Sequence, residues 1–474
     1  MARDSAFPSP VPPAAHRAGA DCAADGAVDG LPPAQRRWAM AALMTGVSMA
    51  SLDTAIANTA LPALARQLDA SAAASVWIVN IYQLAMVATL LPFAALGERL
   101  GYRRVATGGL VLFTVASLAC ALAWNLEALV AARLLQGLGA SAIMGVTTAL
   151  MRTIYPARLQ GHGFGVNALV VAVAFAVGPT LASLILSFAS WPWLFAINVP
   201  LGAAAFFAAR RTLPDNASAA HALDYRAALY NVGAFGLLIL LLGDAAHHES
   251  GLRLGLEALA AIVCFALLLR RQRGHGAPVF PVDLLARPLF ALSAATAVCT
   301  FAVQSLAFVA LPFHFETVLG RSTVETGFLL TPWPVMVALM GPVAGRLSDR
   351  YHPGLLGGIG LLALCGGMLA MLWMPAAPSA LDIAWRMGLC GIGFGFFQAP
   401  NMKAIMGSAP RERAGGASGI VATSRLTGQA AGAALVAWCL TLSHSAGTGY
   451  ALALAAGIAL LGAAISFARL KMPG

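Results

Sequence analysis

Again and again this chain returns to a stretch of apolar residues long enough to cross a lipid bilayer, and that rhythm restricts the fold more than any single motif. About 20 apolar residues in a helix span the hydrocarbon core. Inside lipid every backbone N–H and C=O must be satisfied within the element itself, so such stretches fold as helices in a bundle. They fall near residues 38–64, 75–96, 104–123, 128–151, 160–188 and 191–209, then 227–244 and 252–269, then 289–312, 323–345, 354–374, 380–406, 415–441 and 447–468. The expectation is an all-α polytopic membrane protein of fourteen spans, grouped as six, two and six.

Composition removes the soluble alternative. Hydrophobic residues make up 59% of the 474, charged residues 10%, and the mean hydropathy is +0.78, whereas a soluble domain is nearer one quarter charged. The net charge of +10 is explained by topology: 23 of the 29 Lys and Arg fall on the face that carries the N-terminus. By the positive-inside rule both termini lie in the cytoplasm, as expected of a multi-pass protein of a bacterial-type inner membrane. These charges are spread over many short segments rather than gathered in a patch, which argues against a nucleic-acid partner. Residues 1–35 are rich in Pro, Ala, Asp and Gly and read as a disordered cytoplasmic tail rather than a signal peptide. The cysteines show no CxxC or Cys/His metal spacing.

Enzymatic readings find no support in the motifs. The glycines at 161, 163 and 165 and at 391, 393 and 395 lie in or at the ends of spans, with no strand before them to form a nucleotide-binding turn. His247-His248-Glu249 lacks a fourth ligand and the spacing of a catalytic zinc site. No P-loop is present. The expectation is therefore no enzyme, no metal and no cofactor, with a proton as coupling ion.

An internal repeat organises the chain. Leu61-Pro62 matches Leu311-Pro312 at an offset of 250, Glu98-Arg99 matches Asp349-Arg350 at 251, and Arg133 matches Arg386 at 253. Such an offset relates spans of equal parity, so the two halves have parallel topology. The expected divisions are the tail 1–35, a six-helix bundle over 36–210, a two-helix insertion with cytoplasmic linkers over 211–288, and a second six-helix bundle over 289–474.

Four segments then carry a resemblance. Leu52-Asp53-Thr54-Ala55-Ile56-Ala57-Asn58-Thr59-Ala60-Leu61-Pro62 resembles the first-helix motif of the fourteen-span drug:proton antiporters of the major facilitator superfamily, and Glu98-Arg99-Leu100-Gly101-Tyr102-Arg103-Arg104 resembles their loop motif between helices 2 and 3. Arg133, Gln136, Gly137 and Gly139 match the fourth-helix motif, and Trp191 to Gly202 resembles the segment entering helix 6. The likeness extends from about residue 36 to 470. There are departures: Ala94 and Glu98 stand where the loop motif usually has Gly and Asp, and Ala182-Ser183 replaces a glycine pair after Gly178-Pro179. The resemblance implies a multidrug exporter working by alternating access, and it gives Arg133 a part in proton transfer.

Read from the residues alone, Asp53 is the acid deepest within a span. It lies fifteen residues beyond Trp38 and thirteen before Arg66, roughly 20 Å from either end. A carboxylate there costs about 2.5 to 3.5 kcal/mol on insertion scales and marks a pathway. Asp53 is the expected proton carrier and Arg133 its partner; the alternatives are an acid that fixes a kink and an arginine that snorkels. Arg386 and Arg425 read as structural tethers. Glu98, Arg99, Gly101, Arg103, Arg104, Asp349 and Arg350 are expected to form a conformational latch, or else to serve as topology signals. Gly178-Pro179 is expected to be a hinge in helix 5, or an ordinary packing kink. For cargo, Asn58, Tyr82, Gln83, Gln304, Gln398 and Asn401 are candidate contacts, suited with Asp53 to lipophilic or cationic molecules. The alternatives are carriage of one metabolite, or a sensor without flux. A monomer in the bilayer is expected.

Overall fold

The computed structural model describes residues 30–215, 224–246, 251–272, 282–409, 414–443 and 446–472. Fourteen long helices lie among them: α1 Pro33–Gln67, α2 Trp77–Leu100, α3 Tyr102–Ala121, α4 Leu126–Ile154, α5 Gln160–Phe188, α6 Asn198–Thr212, α7 Tyr225–Ala246, α8 Gly251–Gln272, α9 Pro288–Phe313, α10 Pro332–Leu347, α11 Pro353–Leu372, α12 Ala380–Ser408, α13 Ala414–Leu442 and α14 Gly447–Ala468. Short helices Trp193–Ala196 and Thr323–Leu330 lead into α6 and α10. Twelve helical segments of the described residues are long and apolar enough to cross a membrane; α7 and α13, of 22 and 29 residues, stand outside that count.

Helix ends follow local chemistry. Asn125 accepts from the amide of Ala128 at 2.8 Å to cap α4, and Ser322 with Glu325 closes a capping box ahead of α10. Gly101, at φ 99°, breaks α2 from α3 with a backbone that a side chain would strain. The start of α1 corrects the expected tail: Pro33 to Gln35 are already helical. Proline at the first position is preset for the helix, and the Leu31 amide anchors the segment before it on the Ile154 carbonyl at 3.0 Å. Residues 1–29 lie outside the described residues.

Packing repeats with the sequence. In the first six helices α1 packs on α4, α5 and α6, α2 on α4, and α3 on α4 and α6; in the last six α9 packs on α12, α13 and α14, α10 on α12, and α11 on α12 and α14. The tightest crossings repeat as well. A Cβ on Gly139 of α4 would stand 2.5 Å from the Phe113 amide of α3, and one on Gly393 of α12 would stand 2.4 Å from the Leu364 amide of α11. Small residues let these backbones meet without a side chain between them. Gly139→Leu is expected to cost about 1 to 3 kcal/mol through overpacking, read as a lower melting temperature of the purified protein.

The two sets of helices meet along α1 with α9, α5 with α10, and α2 with α13, and α7 covers the last of these seams. The Asn231 amide of α7 donates to the Ala88 carbonyl of α2 at 2.9 Å, and Arg271 at the end of α8 holds Asp224 ahead of α7 at 2.7 Å. At the end of the bundle where α1 stops, Arg66 pairs with the buried Glu316 at 2.8 Å, the Ser183 hydroxyl donates to the Thr323 carbonyl at 2.8 Å, and the Thr180 and Thr331 hydroxyls lie 3.0 Å apart. Toward the other end, a Cβ on Gly165 of α5 or on Gly341 and Gly345 of α10 would meet nothing within 4 Å.

Candidate functional site

Five helices of the first set converge on one carboxylate. Asp53 of α1 is 2% exposed, and three side chains, two from α4 and one from α6, donate to it. The Arg133 guanidinium donates to Oδ2. The Gln136 amide and the Asn198 amide donate to Oδ1 at 2.8 and 3.1 Å. Arg133 and Gln136 sit one turn apart on α4 and so share a face. The Gln136 carbonyl oxygen accepts from Arg133 at 2.6 Å, which keeps the amide end aimed at the acid.

Outer contacts hold these groups in place. The Gln136 amide also donates to the Ser117 hydroxyl of α3 at 2.8 Å, and Ser117 donates onward to the Phe113 carbonyl at 2.7 Å. The Arg133 Nε donates to the Ile78 carbonyl of α2 at 3.0 Å. Its guanidinium lies 4.2 Å from the ring centre of Tyr82 and 5.5 Å from that of Phe195. The Tyr82 hydroxyl donates to the Ala50 carbonyl of α1 at 3.1 Å. One acid, one guanidinium, two amides and two rings form a buried polar cluster where lipid would otherwise demand apolar side chains, with Arg133 Nη2 left without a hydrogen-bond partner.

Beside this cluster, between the two sets of helices, lies a small cavity in two lobes. Ser51 and Thr54 of α1, Met144 of α4 and Arg425 of α13 line one lobe; Asn58, Gln304 and Phe308 line the other; Gln83, Phe175 and Gln429 are common to both. Thr54 is the neighbour of Asp53 in the chain, and the turn of α1 sets the two side chains about 100° apart around the helix, so that Thr54 lines the cavity and Asp53 does not. Several buried polar atoms on this wall have no hydrogen-bond partner within the protein: both ends of the Gln83 amide, Ser51 Oγ, Asn58 Oδ1, Gln304 Oε1 and Arg425 Nε. Buried polar groups are ordinarily paired, so a cluster of open ones facing one space is the mark of a binding wall.

A deep acid–base pair beside a polar cavity on the seam of a repeated helical bundle is the arrangement of a carrier, and comparison with protein families decides which kind. The Major Facilitator Superfamily model matches residues 43–433. The chain belongs to the Major Facilitator Superfamily. Among its relatives, the uncharacterized transporter YebQ of Escherichia coli (strain K12) is 49% identical over 447 residues, covering 94% of this chain and 98% of that one. The riboflavin transporter RibZ of Clostridioides difficile (strain 630) is 28% identical, covering 82% and 85%. The tetracenomycin C resistance and export protein of Streptomyces glaucescens is 30% identical, covering 85% and 75%. In solved structures the same fold is seen in a peptide-bound POT family transporter, at a TM-score of 0.70, 14% identity and coverage of 93% and 96%.

The remaining expected site residues of this facilitator distribute unevenly. Asn58, Gln83 and Gln304 meet at the cavity, but Tyr82 belongs to the Asp53 cluster. Asn401 lies elsewhere, accepting from Arg469 Nη1 at 2.7 Å, and Gln398 is exposed on α12. Arg386, the repeat partner of Arg133, pairs with Asp382 one turn earlier at 3.1 Å. At the level of Asp53 the repeat places Val303, so the last six helices have no matching acid there.

The loop charges tie neighbours together. Arg99 donates to the Tyr225 hydroxyl and lies over its ring, Arg103 pairs with Asp215 at 2.9 Å, and Asp349 pairs with Lys403 at 2.7 Å. Glu98, Arg104 and Arg350 are exposed. Gly178 meets α1 at Ala55, where a Cβ would stand 2.3 Å from that of Ala55, and the Pro179 carbonyl lies against Gly327. Among the described residues no group of His, Cys, Asp and Glu is arranged to hold a metal ion; His247-His248-Glu249 lies outside them. Asn198 and Ser117 join the site without being expected there, and Gln136 is singled out in the sequence only as part of the fourth-helix motif. The available signal was a polar residue inside an apolar segment, and for Asn198 its place in the Trp191 to Gly202 run.

Proposed function

We propose that this facilitator is a proton-coupled exporter of amphipathic small molecules, of the fourteen-span drug:proton antiporter kind. In this reading α7 and α13 also cross the bilayer, both termini lie in the cytoplasm of a bacterial-type inner membrane, and a monomer works by alternating access between its first six and last six helices. The observation that carries the proposal is the pairing of Asp53 with Arg133 in a buried cluster that shares α1 with the cavity wall.

A carboxylate so enclosed has two electrostatic states. Ionised, it holds the Arg133 guanidinium and two amides; protonated, it no longer attracts the cation, and the cluster relaxes. Its neighbours Thr54 and Ala55 transmit that change, one to the cavity and the other to Gly178-Pro179 of α5, which in turn touches the segment leading into α10. Binding of a proton thereby biases the packing between the two sets of helices, as a ligand must if it is to shift a two-state equilibrium. Release of the Arg66–Glu316 pair and the Ser183–Thr323 bond would open the far end, and the loop charges at Glu98, Arg99, Arg103, Arg104, Asp349 and Arg350 would latch the other. Each proton entering supplies roughly 2.3 kcal/mol per 100 mV, before any pH difference.

Kinship with a riboflavin transporter supports a second reading, carriage of one metabolite. The test that covers both uses everted vesicles acidified by respiration. Cargo moved inward should drive protons out and alkalinise the lumen. A drug exporter will respond to several unrelated compounds, a metabolite carrier to one chemical series; no response to any of them, with no protection of an overexpressing strain, would end the proposal.

A further inference from the structure

We infer that the cargo is an amphipathic organic anion whose carboxylate seats on Arg425, with its apolar body between Phe175 and Phe308 and its polar edge on Gln83 and Asn58. The inference rests on the transporter reading above and names the substrate class of the same cavity. It replaces the cationic cargo expected from Asp53, whose oxygens are already held by Arg133, Gln136 and Asn198 and which does not line the cavity.

Among the described residues the charged side chain on the cavity wall is Arg425, and none of their carboxylates lies within ion-pair distance of it. Its one hydrogen-bond partner there is the Met144 thioether, at 3.8 Å, and its Nε has none. A thioether is a weak acceptor and leaves a guanidinium largely unsatisfied.

Arg469 shows what a purely structural arginine looks like in this bundle. It is fully buried, where Arg425 is half-buried, and it likewise has no acid, yet its donors reach the Ser293 hydroxyl at 3.0 Å, the Asn401 oxygen at 2.7 Å and the Ser466 hydroxyl. The chain can satisfy a buried guanidinium with neutral oxygens where no ligand comes. At Arg425 it has not done so, and the open atoms next to it, on Gln83 and Ser51, offer both donors and acceptors to the same space. A cation without a counter-charge inside a membrane protein is unfavourable, and a carboxylate on the cargo would supply two oxygens in the geometry a guanidinium fork matches.

The experiment compares wild type, Arg425→Gln and Arg425→Lys, each purified into nanodiscs and in everted vesicles. The probes are a panel of amphipathic carboxylates including 1-pyrenebutyrate, the matching alcohol 1-pyrenebutanol, and a panel of cationic dyes including (1-pyrenebutyl)trimethylammonium and ethidium. Wild type should carry members of the carboxylate panel in preference to the alcohol and the cations. Arg425→Gln should lose that flux by about 30-fold or more, with partial recovery in Arg425→Lys. Without ligand, Arg425→Gln should melt at or above the wild-type temperature, because a charge lacking a partner has been removed. Flux of cations with carboxylates ignored, or a lower melting temperature for Arg425→Gln with unchanged flux, would overturn the anion assignment and leave the transporter reading standing. Silence toward every probe would overturn both.

Discussion

Asp53→Asn will abolish proton-driven transport while leaving exchange intact. In everted vesicles the variant should give no cargo-induced alkalinisation above that of vesicles lacking the protein. Counterflow of labelled against unlabelled cargo, which needs no proton, should continue. The distinction follows from the geometry. Asparagine keeps an oxygen for the Gln136 and Asn198 amides, which donate to Oδ1 at 2.8 and 3.1 Å, so the cluster keeps its shape. What disappears is the titratable charge facing Arg133. Because the cavity wall uses Thr54 rather than Asp53, cargo recognition should survive. Undiminished alkalinisation by Asp53→Asn would move the coupling site elsewhere.

Arg133→Met carries the largest expected effect on stability. It strips the counter-charge from a buried carboxylate, and breaking such a pair on one side costs about 3 to 5 kcal/mol. Most of the variant should fail to reach the membrane folded, or should melt many degrees lower in detergent. The double variant Asp53→Leu with Arg133→Met removes both charges, and replacing a buried pair with apolar groups of similar volume is often neutral or stabilising. It should recover most of the loss in stability and none of the proton coupling. A double variant as unstable as Arg133→Met alone would show that the cation holds α2 through Ile78 and Tyr82 more than it answers Asp53.

Much of this was legible in the residues. Apolar runs located the helices to within several positions, because lipid leaves a segment no other way to satisfy its backbone. The repeat offset of about 250, read from landmarks such as Leu61-Pro62 and Leu311-Pro312, reappears as the same packing scheme in both sets of helices. Asp53 and Arg133 were legible as partners because an isolated charge at that depth requires one. The cargo wall was harder to read. Tyr82 and Gln83 are adjacent in the chain, yet one stacks on Arg133 and the other faces the cavity, a difference of 100° around α2 that a one-residue shift in helix phase reverses. Asn401 looked like a cargo ligand because it is a polar residue in an apolar helix, and only Arg469, far along the chain, shows that it is already used. Arg425 was read as a tether for the same reason Arg469 is one: a sequence shows a buried charge but not whether anything answers it.

The unanswered charge of Arg425 bears on how such a carrier would spend the membrane's electrical energy. A cation leaving in exchange for one entering proton moves no net charge, so only the pH difference drives it. An anion leaving as one proton enters carries two charges down an inside-negative potential, worth roughly 4.6 kcal/mol per 100 mV. With its seat for cargo positive, this protein would work as an electrogenic device, running on voltage when the pH gradient has collapsed and slowing to what the pH difference alone drives when the potential is short-circuited by a potassium ionophore.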